Sequence, residues 1–516
     1  MHVAIVLALP PGANSVDRLF TRMTTETHAR SRRDIAVLRG FLWTSGGRLL
    51  VQMATWAISL VIARLLSPRD YGIAAMASLY VGFAQLLAEL GFGAAIVQRP
   101  DISKQTIAAI MGASLAISVL LAVVSIPAGY ALAAFYREPV LIAVVSVYGL
   151  NFIPAAIRSV SGALLSKAMA FHKVTILGLV EAVTASLTSL VFALAGWSVW
   201  SLVLGNTVAV CVAAVLSMVW AHPGFSFQLA RLRGTGVVTF GYKVLISRAA
   251  WYFYASTDFL IIGRRIGTQA TGHYNLAYQF ASVPADRITG ALTQVLFPVF
   301  ATLQGDRAEL GRYFRHSTEA CSLALMPMYV GLALVANDLV EVALGPKWHG
   351  AAVILSVLSL ASVVRSITSV ANTVIVGCGN AGFPAKMSLI GLAIFPPAFF
   401  FASYYGPAAV AAVWLVLYPP LLAVPTIVVA LRAAHLTGAE FWSALKPAAM
   451  ATLLMAAAAY GVSQSMQDAP ILWRLIATIL TGAIAYAAVL LLVWGDRVSR
   501  YLALASRGLK PVEQGS

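Results

Sequence analysis

Arginine residues occur inside long apolar stretches of this 516-residue chain, where a charged side chain is costly to place. Arg48, Arg158, Arg248 and Arg365 are the ones whose position suggests binding chemistry. A charge at the centre of a bilayer costs roughly 2.5–3.5 kcal/mol on insertion scales, so such residues usually face a cavity or a partner helix. A guanidinium stays charged when partly dehydrated, and its forked N–H donors match phosphate oxygens. We therefore predict that these arginines bind an anionic group on inward faces of helices.

Polar residues recur at helical spacing in three groups, two of which begin with an arginine, so that each group shares one helix face. The group that begins at Asn275 suits sugar hydroxyls, or water and a coupling cation, and hydrogen bonding between helices explains it equally well. The binding prediction includes Gln52, Asn275 and Gln279 from these faces. The three faces consist of Arg48, Gln52, Thr55 and Ser59, of Asn275, Gln279, Ser282 and Asp286, and of Arg365, Ser369 and Asn372.

Carboxylates inside apolar stretches are the second kind of chemical group. An ion-coupled transporter needs a carboxylate whose protonation follows the conformational state. Glu89 and Asp258 are the candidates for this coupling role. The alternative is that Glu89, Glu181 or Asp258 forms a structural ion pair with a neighbouring arginine and holds helices together.

The composition indicates an all-α integral membrane protein, since 60% of the residues are hydrophobic and only 10% are charged. The net charge of +16 does not indicate nucleic acid, because the basic residues are spread over short segments between apolar runs. Cys211, Cys321 and Cys378 lack metal-site spacing and are expected to be packing residues. The chain contains no Walker lysine loop, so we expect neither ATP nor another cofactor.

Apolar runs predict about fourteen transmembrane helices, with termini on the cytoplasmic side. With that orientation, cytoplasmic segments hold 23 Lys and Arg residues and the opposite segments seven. The predicted organisation is an N-terminal segment at 1–40, an N-lobe at 41–221, a C-lobe at 222–433, accessory helices at 441–495 and a tail at 496–516. The runs lie near 41–66, 71–97, 106–135, 139–165, 173–196, 198–221, 236–266, 270–302, 311–344, 349–377, 382–404, 407–433, 441–464 and 471–495.

An internal repeat supports two lobes of six helices. Aligning the chain with itself at an offset of 200 residues places Arg48 on Arg248 and Gly72 on Gly272. Farther along, Arg158 meets Arg365. Six helices per repeat imply that both lobes insert in the same orientation, related by an axis along the membrane normal.

Three stretches resemble polysaccharide-transporter flippases, which export lipid-linked O-antigen and exopolysaccharide units in bacteria. They are IARLLSPRDYGIAAMASLYVGFAQLLAELGFGAAIVQRPDIS, YNLAYQFASVPADRITGALTQVLFPVFATLQGD and ALGPKWHGAAVILSVLSLASVVRSITS, and the similarity covers roughly residues 38–440. The resemblance places the chain in the multidrug/oligosaccharidyl-lipid/polysaccharide superfamily. It implies two six-helix lobes in a V around a central cavity, and no enzymatic activity.

The function implied by the resemblance is transfer of undecaprenyl-pyrophosphate-linked oligosaccharide across the bacterial inner membrane by alternating access. Its expected partners are the lipid-linked oligosaccharide, membrane lipid and a polysaccharide polymerase or export complex, but not nucleic acid. The alternative is a drug or cation antiporter of the same superfamily, which should carry acids in its cavity. A membrane glycosyltransferase or ligase would need a catalytic acidic motif in a large external loop, and every predicted external loop is short.

Overall fold

The structure, a computed structural model, describes residues 51–89, 92–98, 102–227, 237–380 and 382–509. Within these ranges some side chains, among them those of Glu89, Arg248, Asp286 and Arg287, lie outside the description. The described residues are helical nearly throughout and fall into two compact units, one ending at Asn275 and the other beginning at Leu276. The protein is thus an all-α membrane protein, as its composition predicts.

The first unit consists of helices joined by short turns. Their order is α1 (Val51–Leu65), α2 (Pro68–Glu89), α3 (Phe92–Gln98), α4 (Lys104–Tyr136), α5 (Leu141–Leu150), α6 (Phe152–Lys167), α7 (Phe171–Leu194), α8 (Trp200–Ala221), α9 (Val237–Arg265) and the start of α10 (Thr268–Pro284).

The second unit continues from α10 through a π-helical turn at Ala285–Thr289. A second π-helical turn, Pro419–Ala423, interrupts a later helix. The helices after the first π turn are α11 (Gly290–Thr302), α12 (Arg307–Leu344), α13 (His349–Gly377), α14 (Gly382–Ala402), α15 (Pro407–Tyr418), α16 (Val424–Ala433), α17 (Gly438–Ser465) and α18 (Ile471–Leu509).

Eleven helical segments of the described chain are long and apolar enough to cross a membrane. The predicted limits agree closely where charge or glycine bounds the apolar run: the run at 106–135 is α4, and the run at 173–196 is α7. The run at 139–165 is divided by Asn151 into α5 and α6. The total of fourteen spans stays a prediction.

Polar caps fix where several helices begin. The Ser103 hydroxyl accepts the Thr106 amide at the start of α4, and Asp306 accepts the Glu309 amide at the start of α12. Thr437 and Glu440 form a reciprocal capping box at the start of α17. Each cap satisfies backbone N–H groups that the first helical turn leaves without an acceptor.

Four turns of the first unit meet at the same end. Glu138, between α4 and α5, accepts hydrogen bonds from Arg69 Nη2 at 2.8 Å and from Thr268 Oγ1 at 2.5 Å. Asp70 accepts a hydrogen bond from the hydroxyl of Ser198, between α7 and α8. Partial burial raises the pKa of Glu138, but the hydrogen bonds from Arg69 and Thr268 outweigh this effect and lower its pKa. These contacts hold the four turns together at one end of the first unit, and the topology predicted from charge stays a prediction.

Helices α2 and α10 begin against each other through two glycines. A Cβ atom on Gly72 would lie 1.9 Å from the Thr268 carbonyl oxygen, and one on Gly272 would lie 1.8 Å from the Pro68 carbonyl oxygen. These are the glycines that coincide at the repeat offset of 200 residues. The repeat read from sequence therefore corresponds to a reciprocal backbone contact within the first unit.

The second unit packs around α12 and α13, with Phe300, Phe314 and Val370 fully buried in its core. Helices α17 and α18 also pack against α12. Arg474 in α18 donates two hydrogen bonds to Asp338 in α12, at 2.8 Å from Nε and 2.5 Å from Nη2. The last two helices are thus part of this unit.

The division after Asn275 differs in position from the lobe boundary predicted between residues 221 and 222. Helix α9, assigned by sequence to the C-lobe, packs against α2 within the first unit. The predicted lobes describe repeats, whereas the units describe packing. The assignment of 41–221 and 222–433 as lobes stays a prediction.

Candidate functional site

A polar cavity of about 370 Å³ lies within the second unit. Helix α10, the first π turn and α11 form one wall, and α13 forms the other. Arg365 is the only charged residue among the twelve described residues that line it. These are Tyr278, Ala281, Ser282, Ala285, Thr289, Gly290, Thr293, Leu358, Ser362, Arg365, Ser366 and Ser369.

The π turn at Ala285–Thr289 places residues on the cavity wall. Pro284 directly precedes this turn. A proline inside a helix removes one backbone hydrogen bond, and its ring displaces the carbonyl four residues earlier. Single π turns within α-helices occur frequently at functional sites. Thr289, the last residue of the turn, is 6% exposed, and its Oγ1 atom has no hydrogen-bond partner among the described residues.

Arg365 is supported by a buried aromatic cluster. Its guanidinium carbon lies 5.0 Å from the ring centroid of Trp414 in α15. Trp414 is 2% exposed and packs against Phe395 and Phe399, which are fully buried. A cation over an indole face is attracted by the ring quadrupole, so this contact stabilises the guanidinium inside the apolar part of the protein.

The cavity face of α10 differs from the polar face chosen from sequence. Tyr278 and Ser282 line the cavity, whereas Asn275 and Gln279 do not. Gln279 is exposed, and its backbone carbonyl accepts the Ser282 hydroxyl. Asp286 cannot be placed, since its side chain lies outside the description. Of the predicted α13 face, Arg365 and Ser369 line the cavity, whereas Asn372 does not.

Arg158 lies in the first unit and forms an ion pair. Its Nη2 atom is 2.5 Å from Oε2 of Glu181, which joins α6 to α7. Both side chains are partly exposed, at 40% and 25%. This contact is the structural pairing that the sequence left open as the alternative to anion binding.

Three predicted residues lie outside the described part of the chain or have undescribed side chains. Arg48 precedes the described residues, Arg248 lies on α9, and Glu89 is the last residue of α2. Gln52 is half-buried on α1, and its carbonyl accepts the Thr55 hydroxyl.

Asp258 is fully buried on α9. One carboxylate oxygen accepts the Tyr274 hydroxyl at 2.7 Å, and the other accepts the Phe259 amide at 2.8 Å. Buried carboxylates need such donors, because an unsatisfied charge in an apolar interior is expensive. The contacts fix the position of Asp258 between α9 and α10, and its coupling role stays a prediction.

An apolar groove of about 530 Å³ lies on a neighbouring face of the helical segment that forms the cavity wall. It lies between α12, α17 and α18, and its lining includes Met328, Leu332 and Ile479. Pro284 lines the groove and the next residue, Ala285, lines the polar cavity. The second unit therefore presents an apolar and a polar surface side by side.

Sequence reasoning identified Arg365, Ser282 and Ser369, but it missed Thr289, Thr293 and two further serines of α13, Ser362 and Ser366. Ser362 and Ser366 had a usable signal, since they lie three residues before and one after Arg365 on the same helix. The Trp414 contact had no local signal, because 49 residues separate it from Arg365.

The fold and the cavity define a multi-pass helical membrane protein with a polar pocket inside its helices. A family model described as "Polysaccharide biosynthesis protein" matches residues 61–353, more than half of the chain. The chain belongs to this polysaccharide biosynthesis family.

Relatives with related descriptions match the chain, and a solved structure shares its fold. The teichuronic acid biosynthesis protein TuaB of Bacillus subtilis is 26% identical over 482 residues, covering 90% of this chain and 97% of that protein. The succinoglycan biosynthesis transport protein ExoT of Rhizobium meliloti is 26% identical over 360 residues, covering 69% and 72%. The lipid II flippase MurJ, in an inward closed conformation, shares the fold with a TM-score of 0.68 at 11% identity, covering 87% of this chain and 99% of MurJ.

Proposed function

We propose that the protein is a flippase that moves undecaprenyl-pyrophosphate-linked oligosaccharide across the bacterial inner membrane by alternating access. The observation that carries this proposal is the adjacency of the polar cavity and the apolar groove at Ala285 and Pro284. An amphipathic ligand can place its polar head in the cavity and an apolar chain in the groove.

Arg365 is the group we assign to the pyrophosphate. Charge-assisted hydrogen bonds from a guanidinium to phosphate are short and often bidentate. The Trp414 face supports the guanidinium within the apolar protein interior and restricts its motion. Arg48 and Arg248 stay candidates for the same role, and their alanine variants are expected to abolish export while the protein remains folded.

The relatives favour transport over the alternatives. ExoT is described as a succinoglycan biosynthesis transport protein, and TuaB, which is similar over nearly the whole chain, is described as a teichuronic acid biosynthesis protein. A drug or cation antiporter would use an acidic cavity, whereas none of the twelve described lining residues is acidic. We therefore propose a transporter of a lipid-linked sugar and not an enzyme.

For energy coupling, we propose that the membrane potential assists export. A dianionic pyrophosphate that moves outward carries negative charge away from the negative side of the membrane. Each elementary charge is then favoured by roughly 2.3 kcal/mol per 100 mV. Glu89 and Asp258 are the residues that would bind an inward cation in an ion-coupled cycle. Flipping measured with the potential clamped, while proton and sodium gradients are varied separately, distinguishes the two.

We also propose that both termini are cytoplasmic and that a polysaccharide polymerase or export complex receives the product. Single cysteines test the orientation through their reaction with impermeant thiol reagents added outside. Positions 69, 137 and 347 should react, and positions 173, 312 and 386 should not. The reverse pattern would contradict the orientation.

The direct test uses purified protein in proteoliposomes that contain an undecaprenyl-pyrophosphate-linked sugar. Arg365→Ala should reduce flipping by about tenfold or more, which corresponds to ~1.4 kcal/mol, and Arg365→Lys should restore only part of it because a point charge lacks the forked geometry. Ion-driven drug uptake with unchanged sugar flipping in the alanine variant would support the antiporter.

A matched pair of glycine variants tests the groove. Gly331 lines it, and Gly331→Leu should fill the space of the lipid chain and slow flipping. A Cβ atom added to Gly461 in α17 would meet no atom within 4 Å, so Gly461→Leu serves as the control. Equal flipping rates in the two variants would show that no chain occupies the groove.

A further inference from the structure

We propose that the polar cavity binds one uncharged sugar attached directly to the phosphate, and that it rejects a carboxylated sugar at that position. The inference rests on the proposed function and adds the chemical class of the group that the cavity recognises. It follows from which cavity groups can donate hydrogen bonds and which can only accept them.

Four of the lining hydroxyls have already used their single hydrogen. Each donates to a backbone carbonyl of its own helical segment, at distances between 2.8 and 3.1 Å. A serine or threonine hydroxyl has one hydrogen and two lone pairs, so these oxygens can only accept further hydrogen bonds. The four donate as follows: Ser282 to Gln279, Thr293 to Gly290, Ser362 to Leu358 and Ser366 to Ser362.

The cavity thus combines a cationic donor with a set of acceptors. Arg365 supplies N–H groups and positive charge for an anion. The serine and threonine oxygens supply lone pairs, which suit the hydroxyl hydrogens of a sugar. A ligand with phosphate at one side and neutral hydroxyls at the other matches both parts of this lining.

The cavity has room for a sugar beside the phosphate. Its volume of about 370 Å³ lies within the range of small-molecule sites, about 300–1,000 Å³. We assign this space to a single phosphorylated sugar. Because Arg365 holds the phosphate, the sugar in the cavity is the one bonded to it.

A carboxylate on that sugar is disfavoured by the same lining. A carboxylate accepts hydrogen bonds and donates none, so at these four hydroxyls it would face oxygens that also only accept. The Thr289 hydroxyl, which has no partner among the described residues, supplies one neutral donor. A charged group that loses its water and gains one neutral donor pays a large desolvation cost. Phosphate already engages Arg365, the one charged residue among the described lining side chains.

The experiment compares two probes in proteoliposomes containing the full-length protein: undecaprenyl-pyrophosphate-glucose and undecaprenyl-pyrophosphate-glucuronic acid. The glucose probe should flip at least about tenfold faster, as expected when a polar site leaves a charged group without partners. Equal rates, or faster flipping of the glucuronic acid probe, would overturn the inference and leave the proposed function intact. If neither probe flips, the proposed function itself fails.

Removal of hydroxyl groups tests whether these oxygens discriminate between the two sugars. Ser362→Ala combined with Ser366→Ala removes two acceptors and should lower the glucose-to-glucuronate rate ratio about five- to tenfold. Ser388→Ala is the matched control, because Ser388 makes the same hydrogen bond within α14, to the Pro384 carbonyl at 3.0 Å, outside the cavity lining. Since both probes are measured on each variant, a general loss of folded protein cancels from the ratio. An unchanged ratio in the double variant would overturn the assignment.

Discussion

The reciprocal contact of Gly72 and Gly272 predicts a strong and non-additive response to added methyl groups. Gly272→Ala would place Cβ 1.8 Å from the Pro68 carbonyl oxygen, although real Cβ contacts shorter than 3.0 Å essentially never occur. The two helix starts must therefore separate by roughly an ångström or more. Overpacking of this kind costs about 1–3 kcal/mol.

Separation of the helix starts also strains the bonds that join the same turns. The Thr268 hydroxyl donates to Glu138 at 2.5 Å, and loss of one such hydrogen bond adds about 1 kcal/mol. We therefore expect each single alanine variant to lower the free energy of unfolding by about 2–4 kcal/mol. Because both methyl groups act on one contact, the double variant should cost less than the sum, with a coupling of about 0.5–3 kcal/mol.

SDS-induced unfolding in mixed micelles, followed by tryptophan fluorescence, measures these free energies. Gly178→Ala in α7 is the control, because nothing lies within 4 Å of its Cβ position and alanine favours a helix. The reciprocal contact does not hold the helix starts together if Gly72→Ala and Gly272→Ala behave like this control. The same conclusion follows if the double variant lowers the free energy of unfolding by the sum of the two single effects.

Three further predictions concern single contacts. Trp414→Leu should slow flipping as Arg365→Ala does, whereas Trp414→Phe should retain most of the flipping activity because an aromatic face remains. An equal loss of flipping in both Trp414 variants would exclude the cation–π role. Arg158→Met should destabilise the protein by leaving the partly buried Glu181 charge without its partner, and adding Glu181→Met should recover stability, as measured by thermal unfolding. No recovery would contradict a structural pair. The pKa of Glu138 is lower in the folded protein than its ordinary value of about 4.3. The contribution of Glu138 to stability is therefore complete above the ordinary pKa and is lost as the pH falls through the folded-state pKa. Glu138→Gln should flatten the pH dependence of the free energy of unfolding in that range, and an unchanged pH profile would contradict this.

The membrane helices could be read from sequence because charge, glycine and proline interrupt the apolar runs. The two π turns could not. Pro284 precedes one of them, whereas Pro298 lies inside α11 without a change of helix type. Proline thus precedes a π turn in one place and lies within an α-helix in another, so proline alone does not predict the helix geometry.

The site was predictable to the extent that spacing defines a helix face. Arg365 and Ser369 were identified in this way, but spacing alone does not reveal what a face meets. Arg158 and Arg365 were predicted as equivalent, yet one lies beside Glu181 and the other over Trp414 in the cavity wall. Their partners come from other helices, so the difference depends on tertiary structure.

The bond between Asp338 and Arg474 also has a consequence for biosynthesis. The two residues are separated by 136 positions, so Asp338 is synthesised long before its partner. At about 5–20 residues per second, translation takes roughly 7–27 s to cover this distance. During that interval, the surface of α12 that α17 and α18 later cover is exposed to lipid or to the insertion machinery, and the Asp338 carboxylate lacks the Arg474 guanidinium. The second unit can therefore complete its packing only near the end of translation, and release of the chain before α18 should produce a protein that quality control removes.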